Sequence, residues 1–436
     1  MGNDPKNVKW VEGLRGIASF LVIMTHLTRA WDPSLFSPAD SPDARPRLLQ
    51  LPVLRIPWQG RVGVTIFAFL TGFVCAIKPL RLARSRAYHE AFSSVGKSAF
   101  RRPPRLVLPA GIAMCVAWGL AQLGAFTVAR RADSAWIREA SPFTEASLWG
   151  EVRRLWRVFL ATWTNGHMDY DDHQWALLPL LKGSMMVYVV LAGTIYVKFR
   201  FRVVVYLAML YYWHQNNHPE TETFGQQLFF GMLLSDAAQS PTFQAFLAAH
   251  KWPRKIISPL LVAAGLYFAS YPNANPEWRP WSNGLLSLSR AVFPPNVNVP
   301  KRYTALGVDL VILGLFLSPT AKEHLASAPF LYLGRHSFAV YLIHGTLLRT
   351  VLVWMLYGVS GQPWELTTDD AGTEVPVAYL PRVGSLAMAA CVLLWLGVVY
   401  ACAHAWTTYV DAWCARVTQR LEAWTFEEDE KRPLPS

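Results

Sequence analysis

Residues 13–26 read GLRGIASFLVIMTH, a nearly continuous apolar run with an arginine, Arg15, near its start and a histidine, His26, at its end. Eleven positions separate the two, and at about 100° per residue they come to about 1100°, about 20° past three full turns. Arg15 and His26 therefore share one helix face, a stripe about 16 Å long. Ser19 and Val22 lie on it at the i+4 and i+7 spacing from Arg15. Ionisable groups inside a bilayer are costly and turn toward an interior or a cavity, so the stripe marks a face with work to do. Snorkelling of Arg15 to the headgroups and an interfacial place for His26 are the plain alternatives.

The rest of the chain has the same character. Of 436 residues 53% are hydrophobic and only 16% charged, with 19 Trp, and mean hydropathy is +0.21, which excludes an ordinary water-soluble domain. Apolar segments of spanning length fall at about 10–29, 62–79, 105–127, 176–197, 201–215, 224–247, 256–272, 304–319, 329–357 and 382–410. The expected fold is all-α: a polytopic bundle of about ten spanning helices with lumenal connecting loops. Residues 1–415 are expected to form one membrane-embedded domain and 416–436 a cytosolic tail. The first segment lacks a small-residue cleavage pattern and carries Arg15, so it is expected to stay in the mature protein.

Net charge is +12, and its placement sets the orientation. The connection from Lys78 to Arg105 holds Lys78, Arg81, Arg84, Arg86, Lys97, Arg101, Arg102 and Arg105 against one acid, Glu90. That marks it as cytosolic, as do Lys198, Arg200 and Arg202 and then Lys251, Arg254 and Lys255 in later connections, while Glu365, Asp369, Asp370 and Glu374 fall on the opposite side. Both termini are then cytosolic. Without a folded soluble domain to present the charges, nucleic-acid binding is excluded. The five cysteines, Cys75, Cys115, Cys391, Cys402 and Cys414, have no C-x-x-C spacing, so neither a metal site nor a disulfide framework is expected. No phosphate loop, H-E-x-x-H pair or G-x-S-x-G elbow appears, and the acidic run Glu427–Glu430 reads as a solvated end.

Three further stretches need explaining. FRRPPRLVLPAG, residues 100–111, predicts a helix starting at Pro103 and Pro104, with Arg102 and Arg105 beside its N-terminus. Two guanidiniums there would make a phosphate clamp, or else serve only as topogenic charges. In TIFAFLTGFV, residues 65–74, Thr71 and Gly72 interrupt a bulky run and suit close helix packing. LYLGRHSFAVYLIHGTLLRT, residues 331–350, holds Arg335, His336, Tyr341, His344 and Arg349, too many polar groups for a lipid-facing helix, so it is expected to line a cavity. Asp236 and Asp309 read as partners for buried arginines.

Together these segments resemble the integral-membrane acyltransferase-3 family, in motif and in order along the chain. The first helix of that family carries an arginine, ten residues and a histidine, as Arg15 and His26 do. Its second ends in Ser-Gly-Phe or Ser-Gly-Tyr, here Thr71-Gly72-Phe73, and its third begins with R-x-x-R, here Arg102 and Arg105. LGRHSFAVYLIH is similar to the family's late helix, with His344 at the closing histidine, while LFFGMLLSD and HQWALLPLLKGSM resemble the filamentous-fungal branch. One position departs: where the family has Trp-Thr-x-Pro-x-Glu, Trp175 is in place but Leu180 stands at the glutamate and the proline has moved to Pro179. Asp169, Asp171 and Asp172, just upstream, are candidate replacements for the acid that spacing alone does not place.

The resemblance implies a membrane O-acyltransferase moving an acyl group, most often acetyl, from acyl-CoA to a hydroxyl of a carbohydrate, lipid or small natural product of secondary metabolism. It implies no permanently bound cofactor, with acyl-CoA as co-substrate, and an endomembrane location such as the endoplasmic reticulum, or else the plasma membrane. In that frame His26 is the general base, or the nucleophile of an acyl-histidine intermediate, with Arg15 behind it. Arg102 and Arg105 hold the CoA phosphates, and Thr71, Trp175, Tyr341 and His344 line the substrate pocket. A transporter would also place Arg, His and Asp inside the membrane, though no inverted halves are visible, and Leu180 raises the alternative of an acyltransferase-like pseudoenzyme.

Overall fold

The structure, a computed structural model, describes residues 6–216, 224–358 and 378–426, together with two three-residue strands and Gly372 between the last two segments. Glu365, Asp369, Asp370 and the run Glu427–Glu430 lie outside the described residues. The described fold is helical throughout apart from the antiparallel pair Leu366–Thr368 and Glu374–Pro376.

Helices cover all ten apolar segments, but fewer of them pass as membrane spans. Among the described residues five are long and apolar enough to cross a bilayer: Arg61–Arg84, Tyr88–Gln122, Asp172–Thr194, Ala328–Tyr357 and Ser385–Thr425. The pair Val299–Leu317 and Pro319–Leu325, bent by 101°, makes a sixth if it counts as one span. The segment expected at 224–247 is two helices, Phe224–Ala238 and Pro241–Ala249, divided where Ser240 caps the second. The last long helix continues beyond the expected 410 as Ala412–Thr425, which lies against the third helix through Arg101 and Glu422, 3.4 Å apart.

Four helices carry the site: α1 (Lys6–Trp31), α2 (Arg61–Arg84), α3 (Tyr88–Gln122) and α4 (Ala328–Leu347). Trp10, Val11, Leu14 and Ala18 of α1 pack on Val62, Ile66, Phe69 and Phe73 of α2, on one flank of the Arg15–His26 stripe. Gly72 does the work its size suggests: a Cβ there would sit 2.0 Å from the Leu228 carbonyl oxygen of the Phe224–Ala238 helix. The helix α3 departs from expectation. It starts at Tyr88, not at Pro103, and runs through Pro103, Pro104 and Pro109. Arg102 and Arg105 thus stand mid-helix, and no helix N-terminus adds its free N–H groups to them. A ring locked near helical φ can continue a helix in a membrane bundle where neighbours re-satisfy the freed carbonyls.

Asp236 meets its expected arginines, accepting from Arg202 Nε and Arg84 Nη2, both at 2.6 Å. Asp309 instead accepts from the Gln227 amide at 3.1 Å. The long connections fold over one end of the bundle, tied to each other by Gln59, whose amide donates to the carbonyls of Ser270 and Tyr271 at 3.2 and 3.0 Å.

Candidate active site

Two cavities meet inside the bundle. The lower one, at the basic end, has a volume of about 240 Å³ and is lined by Arg15, Thr71, Arg102, Arg105, Leu180 and Tyr341 among others. The upper one, of about 840 Å³, lies under the long connections and is lined by Thr25, His26, Trp136, His173, Trp175 and Tyr341. Val64 and Tyr341 line both and form the wall between them.

The α1 stripe runs along this axis as its spacing predicts: Arg15 borders the lower cavity, His26 the upper. Arg15 donates to Glu12 at 3.1 Å and is half-buried. Arg102 Nη2 reaches 3.5 Å from Thr71 Oγ1, which itself donates to the Phe67 carbonyl at 2.9 Å. The three guanidiniums of Arg15, Arg102 and Arg105 so converge on one small opening, a donor set matched to phosphate oxygens.

The upper cavity is built around three histidines. One nitrogen each of His26, His173 and His344 lies within 4.8 Å of the others. The His26 and His173 rings meet edge-on with centroids 3.7 Å apart, and His344 lies 5.4 Å from the first and 4.9 Å from the second. Each ring is fixed differently. His344 Nδ1 faces the carbonyls of Val340 and Tyr341 at 2.9 and 3.0 Å, one turn back in its own helix. His173 Nδ1 lies 2.5 Å from Asp171 Oδ1, a carboxylate without solvent exposure. His26 stacks on Trp136 at 5.8 Å. His26 Nδ1, His173 Nε2 and His344 Nε2 are buried without a hydrogen-bond partner among the described residues. Buried polar atoms of this kind call for a bound group to satisfy them.

The surroundings hold that cluster in place. Arg349, fully buried, pairs with Asp171 at 3.1 Å and donates to the carbonyls of Tyr170, at 3.0 Å, and Ala140. Tyr341 donates to the His173 carbonyl at 2.5 Å. The helix α4 carries Gly345 where the dyad touches it: a Cβ there would lie 2.4 Å from His173 Nδ1 and 2.5 Å from Asp171 Oδ1. Trp175 stacks on Phe224 at 6.2 Å, with the Arg61 guanidinium 5.7 Å over its ring.

Every residue singled out in the sequence as a site candidate borders one cavity or the other, apart from His344, which stands behind His26 and His173. Within the 331–350 stretch the expectation is only half met: Tyr341, His344 and Arg349 face the cluster, but Arg335 is exposed and His336 pairs with Thr407 at 3.1 Å on the far side. His173, Asp171, Trp136 and Arg349 complete the site. Asp171, one of three candidate acids, is the one placed there; His173 sits in a stretch notable for its Trp175, and Trp136 lies in a connection with no helical periodicity to mark it. Leu180, at the position of the missing glutamate, lines the arginine cavity and not the histidine one.

Comparison with known proteins gives one family. Its model, described as an acyltransferase domain (acyltransferase-3), matches residues 8–399. An acyltransferase of Phoma sp. is 25% identical over 410 residues, covering 82% of this chain and 86% of its own length. An acyltransferase of Cochliobolus lunatus is 24% identical over 78% of this chain and 83% of its own, and an O-acetyltransferase of Phomopsis amygdali 27% identical over 79% and 73%. No solved structure matches the chain.

Proposed function

The chain belongs to the acyltransferase-3 family and is an acyltransferase of the membrane-protein class, and we propose that it moves an acetyl group from acetyl-CoA to a hydroxyl of a carbohydrate, lipid or small natural product. The observation that carries this reading is the shared wall: an arginine-lined cavity and a histidine-lined cavity touch at Val64 and Tyr341. Arg102 and Arg105 suit the phosphates of CoA. At about 240 Å³ the lower cavity is smaller than the about 300–1,000 Å³ that drug-sized ligands fill. It suits the acylated thiol arm, with the nucleotide held outside it at the arginines. The upper cavity, over three times larger, suits a bulkier acceptor, lined by Trp175 and Tyr341 and closed by Trp136, while Thr71 lines the lower one.

In this scheme the acceptor hydroxyl lies against His26, and the thioester carbonyl reaches it past Tyr341. Arg15, below His26 on the same stripe, faces the donor. The basic end is cytosolic by its charge, where acyl-CoA is supplied, and the acceptor enters from the lumenal side of an endomembrane such as the endoplasmic reticulum. Membranes holding the protein, given labelled acetyl-CoA and a host-cell metabolite extract, should yield one labelled ester, absent with His26→Ala. No labelled product from the well-folded wild type would refute the reading.

A further inference from the structure

The proposed function sets the hydroxyl against His26 but does not say which side chain holds its proton. Three imidazoles offer an unpartnered nitrogen to the same point, and they differ in what stands behind them. His344 is backed by two neutral carbonyls. His26 Nδ1 has no partner among the described residues, and its neighbours are the Trp136 ring and, over that ring, the Arg29 guanidinium at 5.9 Å. Of the three, His173 is the one hydrogen-bonded to an anion, Asp171 Oδ1 at 2.5 Å. A carboxylate accepts, so His173 Nδ1 carries the ring proton and Nε2 keeps its lone pair. A buried imidazole that accepts a second proton becomes a cation, at a large desolvation cost unless a countercharge lies beside it. At this cluster that condition singles out His173.

We propose that Asp171 and His173 form the proton-accepting dyad of the transfer, with His173 Nε2 as general base and Asp171 as the group that orients and charge-balances it; this rests on the proposed function. The acceptor oxygen forms its bond to the thioester carbonyl carbon while its proton passes to His173 Nε2. The carbon–sulfur bond then breaks with its electron pair on sulfur, and His173 returns the proton there. The products are an ester and free CoA thiol, with no change in oxidation state. His26, on the same oxygen, orients it. Arg349, which pairs with the same Asp171 oxygen that His173 meets, and Gly345, whose missing Cβ leaves room for the pair, are positioning residues.

A divalent ion would also satisfy three free imidazole nitrogens, so the two must be weighed. Metal–nitrogen bonds of about 2.0–2.1 Å draw tetrahedral ligands to about 3.4 Å from one another. Nitrogens within 4.8 Å of one another admit either such an ion or a hydroxyl oxygen about 2.8 Å from each, and the zinc content measured below separates the two.

The test uses the full chain in detergent micelles. His173→Ala should lower turnover about 10²- to 10⁴-fold while acetyl-CoA still binds, and added imidazole should restore part of the rate. Asp171→Asn should move the acid limb of the pH–rate profile to lower pH. Wild type and His26→Ala should both give a proton resonance far downfield of the amides, from the short Asp171–His173 bond, that Asp171→Asn and His173→Gln lose. Wild-type turnover in His173→Ala, a downfield resonance that survives Asp171→Asn, or one equivalent of zinc lost with His173→Ala would each overturn the dyad. A wild type that transfers acetyl to neither water nor any metabolite refutes the proposed function itself, and a resonance remaining in that case marks a structural hydrogen bond only.

Discussion

The two cavities share a wall but are built by opposite means. The lower one is made by side chains at regular positions on helices: Arg15 on α1, Thr71 on α2, Arg102 and Arg105 on α3. Its charges face an opening, Arg15 and Arg102 half-buried and Arg105 exposed. The upper one borrows its chemistry from irregular chain: Trp136 from a short helix, and Asp171 and His173 from the turn before Leu177. Charges at its rim, such as Arg29, Asp133 and Arg382, are exposed, but those behind the histidines are sealed. Asp171 and Arg349 have no exposed side-chain surface, and they are kept by each other and by carbonyls. The difference teaches that the end which the proposed scheme gives to a charged, soluble donor can be simply basic. The end where bonds change must exclude water and fix each ring, and so needs segments that a helix cannot supply.

If the division of labour holds, substitutions should separate cleanly into those that remove chemistry and those that remove binding. The largest effect belongs to the upper cavity. His26→Ala should reduce acyl transfer at least about 10²-fold and leave acetyl-CoA affinity as in the wild type, measured by calorimetry on the purified protein. Transfer that survives this change would mean that the hydroxyl does not lie against α1 at all. The next belongs to the lower cavity. Each of Arg102→Ala and Arg105→Ala removes charge-assisted hydrogen bonds worth about 1.5–3 kcal/mol, so the acetyl-CoA KM should rise about 10- to 100-fold with kcat nearly constant. Lysine at either place should recover only part, because an ammonium lacks the planar fork. Unchanged acetyl-CoA affinity in both alanine variants would return the pair to a topogenic role.

A smaller effect tests what closes the upper cavity. Trp136 stacks on His26 at 5.8 Å and meets the His173 ring edge at 5.5 Å. Such ring contacts are worth about 0.5–1.5 kcal/mol, so Trp136→Ala should raise the acceptor KM about 2- to 10-fold. Acetyl-CoA binding should not move. A loss of donor affinity in this variant would show that the two cavities are one continuous site.

The sequence made much of this legible and hid the rest for physical reasons. Helical spacing put Arg15 and His26 on one face because a 3.6-residue period survives burial, and the positive residues between Lys78 and Arg105 marked the basic end. The start of α3 was misread because two adjacent prolines are the ordinary signal of a first turn, and only the packed bundle shows a helix carried through them. Of about ten expected spans, five or six among the described residues have the length and hydropathy to cross a bilayer, and apolar stretches such as 201–215 and 256–272 are helices that do not reach both. Arg335 and His336 show the limit of counting polar groups on a helix: neighbours in sequence point to different sides. Asp171 and Trp136 were beyond reach because connections have no period, so nothing in their spacing says where the chain will bring them.

The smallest effect concerns Leu180, where the family's glutamate is missing. Read from sequence alone, Leu180→Glu should restore a partner to His26 and raise turnover. The structure puts residue 180 on the other side of the wall, in the cavity of Arg15, Arg102 and Arg105, while Asp171 already supplies a carboxylate to the histidines. A glutamate at 180 would therefore pair with the guanidiniums that the proposed function gives to phosphate. An exposed or half-exposed ion pair is worth about 0–1 kcal/mol, so the acetyl-CoA KM should rise up to about fivefold, more steeply at low salt, while kcat stays where it was. Burial of the new carboxylate is compensated by those arginines, so the variant should fold. If kcat rises instead, position 180 communicates with the imidazoles, and the wall at Val64 and Tyr341 must open during turnover.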